Sequence, residues 1–174
     1  MPRVNIYPVT VQFGDCDPAG IVFFPNFSRG MDESSLAFFM SAGIPPWREL
    51  VKTRGIVGTP LLEIHTKFLK TATYGETIEI HTSVIEWSGK TFVHQHTVKR
   101  GDDILCEGTE VRAFCRRDVD NPDRIRAIPI PEDLKARTSV PSQRMSSPRL
   151  TVCWWTKVLP DHSTTLVWIS MLSP

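Results

Sequence analysis

Four runs of alternating residues after position 60 constrain the fold of this chain most strongly. In each run apolar side chains alternate with polar ones, and the runs cover residues 60–70, 77–87, 91–100 and 103–116. A period of two residues places the apolar side chains on one face of a strand. Typical turn residues separate the runs: Thr73-Tyr74-Gly75, Ser88-Gly89 and Gly101-Asp102. The pattern predicts an antiparallel meander of four strands.

A long apolar helix precedes these strands. Residues 26–42 (NFSRGMDESSLAFFMSA) place Phe27 and Met31 on one stripe, and Gly43 followed by two prolines ends the segment. Further apolar residues widen that stripe nearly all round, so we expect other elements to cover the helix. A strand at residues 4–13 comes before it. The order of these elements predicts an α+β fold in which a sheet curls around a central helix.

Composition and charge exclude several classes of partner. The chain has 174 residues with 41% hydrophobic and 22% charged content, which suits one domain with a proper core. Twenty Lys+Arg and nineteen Asp+Glu give a net charge of +1, so no nucleic acid and no membrane is expected as a partner. The four cysteines lack the spacing of a redox motif or a zinc site, and no signal-peptide pattern is seen. These features favour a cytoplasmic location.

The segment FGDCDPAGIVFFPNF, residues 13–27, carries the candidate chemistry. Asp15 and Asp17 stand before a Pro-Ala-Gly turn and an apolar run that leads into the helix. A carboxylate beside apolar residues needs a partner. The unpaired backbone N–H groups at the helix start, near Phe24, can bind a carbonyl oxygen and stabilise negative charge on it. The alternative is that Asp17 closes an Asx turn before Pro18, which is a frequent structural use of aspartate.

Five segments in register resemble the 4-hydroxybenzoyl-CoA thioesterase family of hotdog proteins. They are FGDCDPAGIVFFPNF, GIPPWRE, RGIVGTP, EWSGKTFV and RIRAIPIP, and the match runs from about residue 10 to 135. The resemblance implies a hotdog fold, in which an antiparallel sheet wraps around a long central helix. It also implies hydrolysis of an aromatic, 4-hydroxybenzoyl-like acyl-CoA to the free acid and CoA, with no metal and no other cofactor.

The resemblance assigns two residues to the reaction itself. Asp17 matches the family's nucleophile or general base, and the residues do not decide between these two routes. Phe24 matches the residue whose backbone N–H polarises the thioester carbonyl. A tyrosine is common there, and phenylalanine keeps the main-chain donor but removes a hydroxyl. Asp15 is expected to be a structural hydrogen-bond acceptor.

Four further residues match positions that hold the substrate in the family. Asp32 matches the polar end of the acyl pocket, and Thr59 matches a residue near the acyl group that comes from the partner subunit. Lys90 and Arg126 match residues that meet the CoA phosphates. The alternatives are an exposed helix acid for Asp32 and ordinary surface charges for the two cations.

Ligand binding is affected by two departures from the family pattern and by a pair of histidines on one strand. Ser88 and Gly89 stand where the family's characterised type has two arginines, which predicts weaker or differently placed contacts to the CoA phosphates. His94 and His96 share one face of a strand, but the sequence shows no third ligand at suitable spacing, so we predict no metal site. Cys16 has no histidine nearby in sequence to activate it as a nucleophile.

The family also predicts an assembly and a domain boundary. Its members pair two sheets and build their sites across the interface, so we expect a homotetramer, a dimer of dimers, with acyl-CoA sites at the dimer interface. Residues 1–140 are predicted to form the hotdog domain. Residues 141–174 contain three of the five tryptophans and form an atypical extension to which we assign no function.

The sequence bears on three other functions. A short-chain aliphatic acyl-CoA thioesterase typically has a His-x-Asn-Tyr segment where this chain has Pro25-Asn26-Phe27, which counts against that function. A hotdog dehydratase needs a histidine in the loop that enters the helix, and none occurs between residues 1 and 64. A non-catalytic hotdog protein that binds acyl-CoA remains an alternative.

Overall fold

The computed structural model describes residues 2–139 with the exception of 119 and 122. The extension 141–174 lies outside the described residues. Along the chain the elements are β1 (Asn5–Thr10), α1 (Phe24–Ser41), α2 (Trp47–Arg54), β2 (Ile56–Gly58), β3 (Leu61–Phe68), β4 (Thr77–Ser88), β5 (Thr91–Arg100), β6 (Asp103–Ala113), β7 (Cys115–Arg117), β8 (Ile125–Ala127) and α3 (Glu132–Ser139). A short 3-10 helix covers Phe13–Asp15.

A five-stranded antiparallel sheet forms the body of the described residues. Its strand order is β1-β4-β5-β6-β3, so β1 and β3 are the two edges. A second sheet of three short strands has the order β2-β7-β8. The alternating runs predicted from the sequence all became strands, and the prediction of an α+β fold is confirmed.

The predicted meander of four strands is wrong in one connection. β3 pairs with β6 and not with β4, so only β4, β5 and β6 follow one another as hairpins. The turn at Thr73-Tyr74-Gly75 lies beside the end of β1 instead, where the Gly75 N–H donates to Val11 O at 3.0 Å. Alternation reports which face a side chain takes, but it does not report which strand lies alongside.

α1 packs along one face of the large sheet. Its buried side comprises Phe27, Gly30, Met31, Ser34, Ser35, Phe38 and Phe39, a helical stripe of the predicted kind. The helix lies close to the sheet, because a Cβ at Gly108 would stand 2.8 Å from the Met31 sulfur. Fully burying a side chain such as Phe38 stabilises the fold by roughly 1.5–3 kcal/mol. The prediction of a covered central helix is confirmed.

The far end of α1 is closed by elements that the sequence analysis did not predict. α2 begins after Pro46 and ends at Gly55, whose φ of 67° is the left-handed conformation that glycine adopts readily at a helix end. Trp47 packs against Phe39 and Phe114, with ring centroids 5.3 and 6.3 Å away. The tryptophan therefore belongs to the core.

The predicted first strand is too long. It ends at Thr10, and Phe13 lies in the 3-10 helix with its side chain 81% exposed, not on the core face with Val11. No helix among the described residues has both the length and the apolar character that crossing a membrane requires.

Candidate active site

The loop that carries Asp17 folds back on itself beside the start of α1. The Asp17 N–H donates to Ile21 O at 2.9 Å, and the Phe23 N–H donates to Asp15 O at 2.9 Å. Gly20 makes the return possible with a φ of 76°, which residues with a side chain rarely adopt. The loop therefore holds Asp17 near its tip, and its second arm runs directly into the helix.

The Asp17 carboxylate takes part in an Asx turn. Its Oδ1 accepts the Ala19 N–H at 2.8 Å. This hydrogen bond supports the interpretation of Asp17 as an Asx-turn residue. That bond uses one oxygen and orients the group. Within the described residues Oδ2 accepts no hydrogen bond, and the side chain is half-buried. The Asx turn is therefore compatible with a catalytic role, because it leaves Oδ2 of the carboxylate available.

Asp15 is bound on both of its oxygens. Oδ2 accepts the Gln12 N–H at 2.8 Å, and Oδ1 accepts a hydrogen bond from the Arg29 guanidinium. The hydrogen bond from Gln12 lowers the pKa of Asp15 further than burial raises it, and Arg29 adds to the lowering. The prediction that Asp15 is a structural hydrogen-bond acceptor is confirmed.

The start of α1 offers a backbone donor. Phe23 is the N-cap residue and makes no side-chain cap, and Pro25 has no N–H to donate. The Asn26 N–H donates to Phe23 O at 2.8 Å. In the part of the chain that the structure describes, the Phe24 N–H makes no hydrogen bond. This donor and the positive end of the helix dipole are therefore available to an oxyanion.

Exposed aromatic rings surround this helix start. Phe24 is 60% exposed and contacts Phe23, with ring centroids 5.1 Å apart, and Phe68 of β3, at 6.3 Å. Phe27 and Met31 of the same helix are instead buried in the core between α1 and the sheet. The apolar surface at the loop is made by Phe23, Phe24 and Phe68.

Asp32 and Thr59 are joined by an arginine that the sequence analysis did not single out. Arg112 of β6 donates from Nη2 to Asp32 Oδ1 at 2.7 Å and from Nη1 to Thr59 O at 3.0 Å. The Asp32 side chain is 68% exposed, whereas that of Arg112 is 5% exposed. Asp32 is thus an exposed acid on a helix, which was the alternative to a pocket residue. Its carboxylate is nevertheless paired with the buried guanidinium of Arg112.

Glu110 anchors this arginine from inside the protein. Its Oε2 accepts hydrogen bonds from Arg112 Nε at 2.7 Å, Ser35 Oγ at 2.9 Å and His96 Nε2 at 3.2 Å. Burial alone would raise the pKa of Glu110, but the hydrogen bonds and charges of His96 and Arg112 lower it to about 2. Burial likewise opposes the charge on Arg112, and its two carboxylate partners raise its pKa. Both groups are therefore charged at neutral pH.

His94 extends the same buried set in neutral form. Burial, followed by the charge of His96, lowers the pKa of His94 well below 6.5. His94 Nδ1 lies 3.0 Å from Ser35 Oγ, and the single Ser35 proton is already given to Glu110. His94 therefore donates from Nδ1–H, which leaves Nε2 without a proton and without a partner among the described residues.

The prediction that the two histidines lack a third ligand is wrong. Glu110 lies on the neighbouring strand, and one potential ligand atom from each of His94, His96 and Glu110 falls within 4.8 Å of the others. The oxygen of Glu110 that meets His96 already binds the Arg112 guanidinium, and a divalent cation beside that charge would be repelled. The donor set favours an ion pair over a metal, and the absence of a metal stays a prediction.

Comparison with known proteins identifies the family. The model of the thioesterase-like superfamily matches residues 11–138, which is most of the chain. This chain belongs to the thioesterase-like superfamily. A curated member, the 4-hydroxybenzoyl-CoA thioesterase of Pseudomonas sp. (strain CBS-3), is 44% identical over 128 residues, which cover 71% of this chain and 89% of that protein.

Solved structures of thioesterases share the fold. The crystal structure of the D17N mutant of 4-hydroxybenzoyl CoA thioesterase, complexed with 4-hydroxybenzoyl CoA, matches at 39% identity with a TM-score of 0.73. It covers 79% of this chain and 99% of that one. A gentisyl-coenzyme A thioesterase matches at 29% identity and a TM-score of 0.66, covering 78% of this chain and all of that one. The predicted hotdog fold is confirmed by these neighbours.

The two cations at the expected CoA end of this thioesterase-like chain lie on neighbouring segments. Lys90 is exposed in the turn between β4 and β5, and its backbone oxygen accepts the Phe114 N–H at 3.0 Å. Arg126 on β8 forms an ion pair with Asp118. The segment after β8 reaches the same turn, where the Ile130 N–H donates to Gly89 O at 3.0 Å.

The described residues thus group the candidates into three sets. Asp17 and Phe24 share the loop and helix start, and Asp32 and Thr59 meet at Arg112. Lys90 lies in the β4–β5 turn, and Arg126 lies on β8, whose following segment reaches that turn. Arg112 and Glu110 had a signal in the sequence, since their even positions on β6 continue the buried face of Cys106 and Gly108. Two charged side chains on the core face of a strand need partners, which predicts that they belong to a buried polar network.

Proposed function

We propose that this protein hydrolyses an aromatic, 4-hydroxybenzoyl-like acyl-CoA to the free acid and CoA. The observation that carries the proposal is the relative's complex with 4-hydroxybenzoyl CoA. The residue substituted in that complex is an aspartate numbered 17, the type and number of Asp17 here. In this chain the loop that carries Asp17 runs directly into α1, whose Phe24 N–H is available to an oxyanion.

In the proposed reaction Asp17 acts on the thioester carbonyl. It either attacks the carbonyl carbon, forming a mixed anhydride that water then hydrolyses, or it takes a proton from the attacking water. In both routes the C–S bond breaks, CoA leaves as the thiolate and takes up a proton, and a new C–O bond forms. The Phe24 N–H stabilises the negative oxygen during the attack. The role of Ala19 N–H is to fix the carboxylate orientation through Oδ1.

The acyl group is proposed to end at Asp32. A ring hydroxyl would donate to the exposed carboxylate. Thr59 lies near the same arginine and is proposed to contact the acyl group or Asp17 across the subunit interface. Lys90 and Arg126 are proposed to meet the CoA phosphates. Arg126 would exchange Asp118 for a phosphate, which makes its contribution smaller than that of an unpaired arginine.

We further propose that the sites are completed by assembly. β3 is an edge strand, and Ile64, Thr66 and Phe68 lie opposite the β6 residues that α1 covers. Leu61, Leu62, Ile64 and Phe68 nevertheless remain between 38% and 60% exposed. A second copy laid along this edge would cover them, which supports a homodimer and, with the family's pattern, a dimer of dimers. Light scattering at micromolar concentration tests this, and a monomer mass would contradict it.

Two further expectations accompany the proposal. The three described cysteines, Cys16, Cys106 and Cys115, are free thiols, which favours a reducing, cytoplasmic setting. Residues 1–140 are proposed as the catalytic domain, with residues 141–174 as an extension outside it.

A panel of acyl-CoA thioesters tests the function directly. We expect free-thiol release from 4-hydroxybenzoyl-CoA with a higher kcat/KM than from butyryl-CoA or palmitoyl-CoA, because the exposed apolar surface is short and aromatic. Higher efficiency on butyryl-CoA would favour the short-chain aliphatic alternative. Binding of acyl-CoA without thiol release would favour the non-catalytic alternative and contradict the proposal.

A further inference from the structure

One guanidinium connects two residues of the proposed acyl site to the interior. Arg112 uses three different nitrogens: Nε donates to Glu110, Nη1 to Thr59 O and Nη2 to Asp32. The three acceptors lie on β6, on the segment after β2, and on α1. A planar group with fixed donor directions sets the relative positions of all its acceptors.

The inner side of this contact is rigid. Glu110 Oε2 takes hydrogen bonds from Ser35 and His96 as well as from Arg112, and all four side chains are almost completely buried. The guanidinium therefore cannot follow Asp32 into alternative rotamers without breaking a buried ion pair. Breaking a buried pair is costly because it leaves an uncompensated charge behind.

The outer side of the contact faces solvent. Asp32 Oδ1 is held by Arg112, while Oδ2 accepts no hydrogen bond from any described residue. An exposed aspartate on a helix would otherwise sample several rotamers, and ordering it on binding would cost entropy. With Oδ1 fixed, Oδ2 is presented in one orientation, ready to accept from a hydroxyl donor.

We propose that Arg112 is a positioning residue that gives this protein its preference for a hydroxylated acyl ring. The inference rests on the proposed function and extends it to a residue that does not itself touch the substrate. Arg112 fixes the Asp32 carboxylate and the Thr59 backbone against the buried Glu110, so that a neutral hydroxyl finds a preorganised acceptor. An unsubstituted benzoyl ring has no donor for the Asp32 carboxylate, and a carboxylate on the ring is repelled by it.

Arg112→Lys tests the inference through the ratio of kcat/KM for 4-hydroxybenzoyl-CoA to that for benzoyl-CoA. Lysine keeps a positive charge near Glu110, but its single nitrogen cannot hold three acceptors in a fixed plane. We expect the ratio to fall about 5- to 50-fold, with most of the loss in KM for the hydroxylated substrate. Asp32→Ala should lower the ratio at least as far, and adding Arg112→Lys to Asp32→Ala should lower it no further.

A control variant separates positioning from general destabilisation. Arg100 is another arginine of the same sheet, and its guanidinium pairs with Glu76. Arg100→Lys should leave the ratio of the two kcat/KM values at that of the wild type. If Arg112→Lys does not fold, the double variant Glu110→Gln with Arg112→Met removes both charges of this ion pair together and carries the same expected loss of preference.

The outcomes distinguish this inference from the proposed function. Failure of the unmodified protein to cleave either thioester would overturn the proposed function, and the inference with it. Cleavage without a hydroxyl preference in the unmodified protein, or an Arg112 variant that loses both activities equally with the ratio unchanged, would overturn the inference alone.

Discussion

Asp15 and Asp17 stand two residues apart but differ in how many of their oxygens the fold uses. Both oxygens of Asp15 accept hydrogen bonds, from a backbone N–H and from Arg29. Asp17 gives one oxygen to the Asx turn and keeps the other. A carboxylate with both oxygens in structural hydrogen bonds cannot attack or take a proton without breaking one of them. A carboxylate with one oxygen free of such bonds can. This difference favours Asp17 over Asp15 for the proposed chemistry.

Exchange of each aspartate for asparagine should separate the two roles in stability. Asparagine has one acceptor oxygen, so Asp15→Asn loses a hydrogen bond and the ion pair, which we expect to cost about 1–2 kcal/mol of unfolding free energy. Asp17→Asn keeps its acceptor for the Ala19 N–H and should change the unfolding free energy by less than about 0.5 kcal/mol. Urea denaturation measures both, and a larger loss at Asp17 would contradict the assignment.

Among the described elements, the edge strand β3 leaves several apolar side chains exposed in a single protomer. Its side chains at Ile64 and Phe68 point to the face that α1 covers elsewhere, yet they are only partly buried. Exposed apolar residues on a sheet edge invite pairing with another chain. The same edge borders Phe24 at the helix start through Phe68, so assembly there would also enclose the proposed site.

A charge on the β3 edge should therefore weaken assembly. We expect Leu62→Glu, at a position that is 60% exposed, to lower the molar mass of the protein in light scattering towards that of a protomer. The matched control is Ile6→Glu on the opposite edge strand β1, which is 53% exposed and should keep the wild-type mass. Equal effects of the two variants would contradict the assignment of β3 as the interface.

The sequence predicted elements better than it predicted their neighbours. Alternation located β3 to β6 and apolar spacing located α1, because both signals are local and repeat over eight residues or more. The pairing of β3 with β6 was missed because side-chain period does not encode strand order. The Asp17 loop was recognised from its own residues and from the family resemblance. Arg112 was missed because its partners Asp32 and Thr59 are 80 and 53 positions away along the chain.

In the molecule as a whole, a buried polar network lies between the sheet and α1. His94, His96 and Glu110 are each at most 1% exposed, and the aromatic ring of Phe92 packs against His94 at 4.9 Å. Such a network specifies one arrangement of helix and sheet only while its charges stay balanced. Protons added at low pH disturb that balance, which makes the fold sensitive to acid.

Stability should fall as the pH drops below 6.5. His94 stays neutral in the folded protein because burial lowers its pKa, while an unfolded histidine binds a proton below its ordinary pKa of 6.5. The unfolded state then binds more protons, and we expect a loss of about 1 kcal/mol between pH 7 and 5.5. Glu110, with a pKa of about 2, adds a further loss below its ordinary value of 4.5.

Urea denaturation at several pH values and one protein concentration measures this slope. His94→Gln removes the titrating group and should flatten the decline between pH 7 and 5.5. A slope unchanged in His94→Gln would contradict the assignment to the buried histidine.

We propose that Asp17 performs the hydrolysis, and the rate with 4-hydroxybenzoyl-CoA tests this role most directly. We expect Asp17→Asn to lower kcat by on the order of 10²–10⁴-fold, the usual worth of a general base, and by more if the route is covalent. Substrate affinity of the variant should stay near that of the wild type, since asparagine preserves the turn. Asp15→Asn serves as the control and should keep kcat within about tenfold. Equal losses in kcat at the two positions, or an Asp17→Asn variant that turns over at the wild-type rate, would contradict the claim.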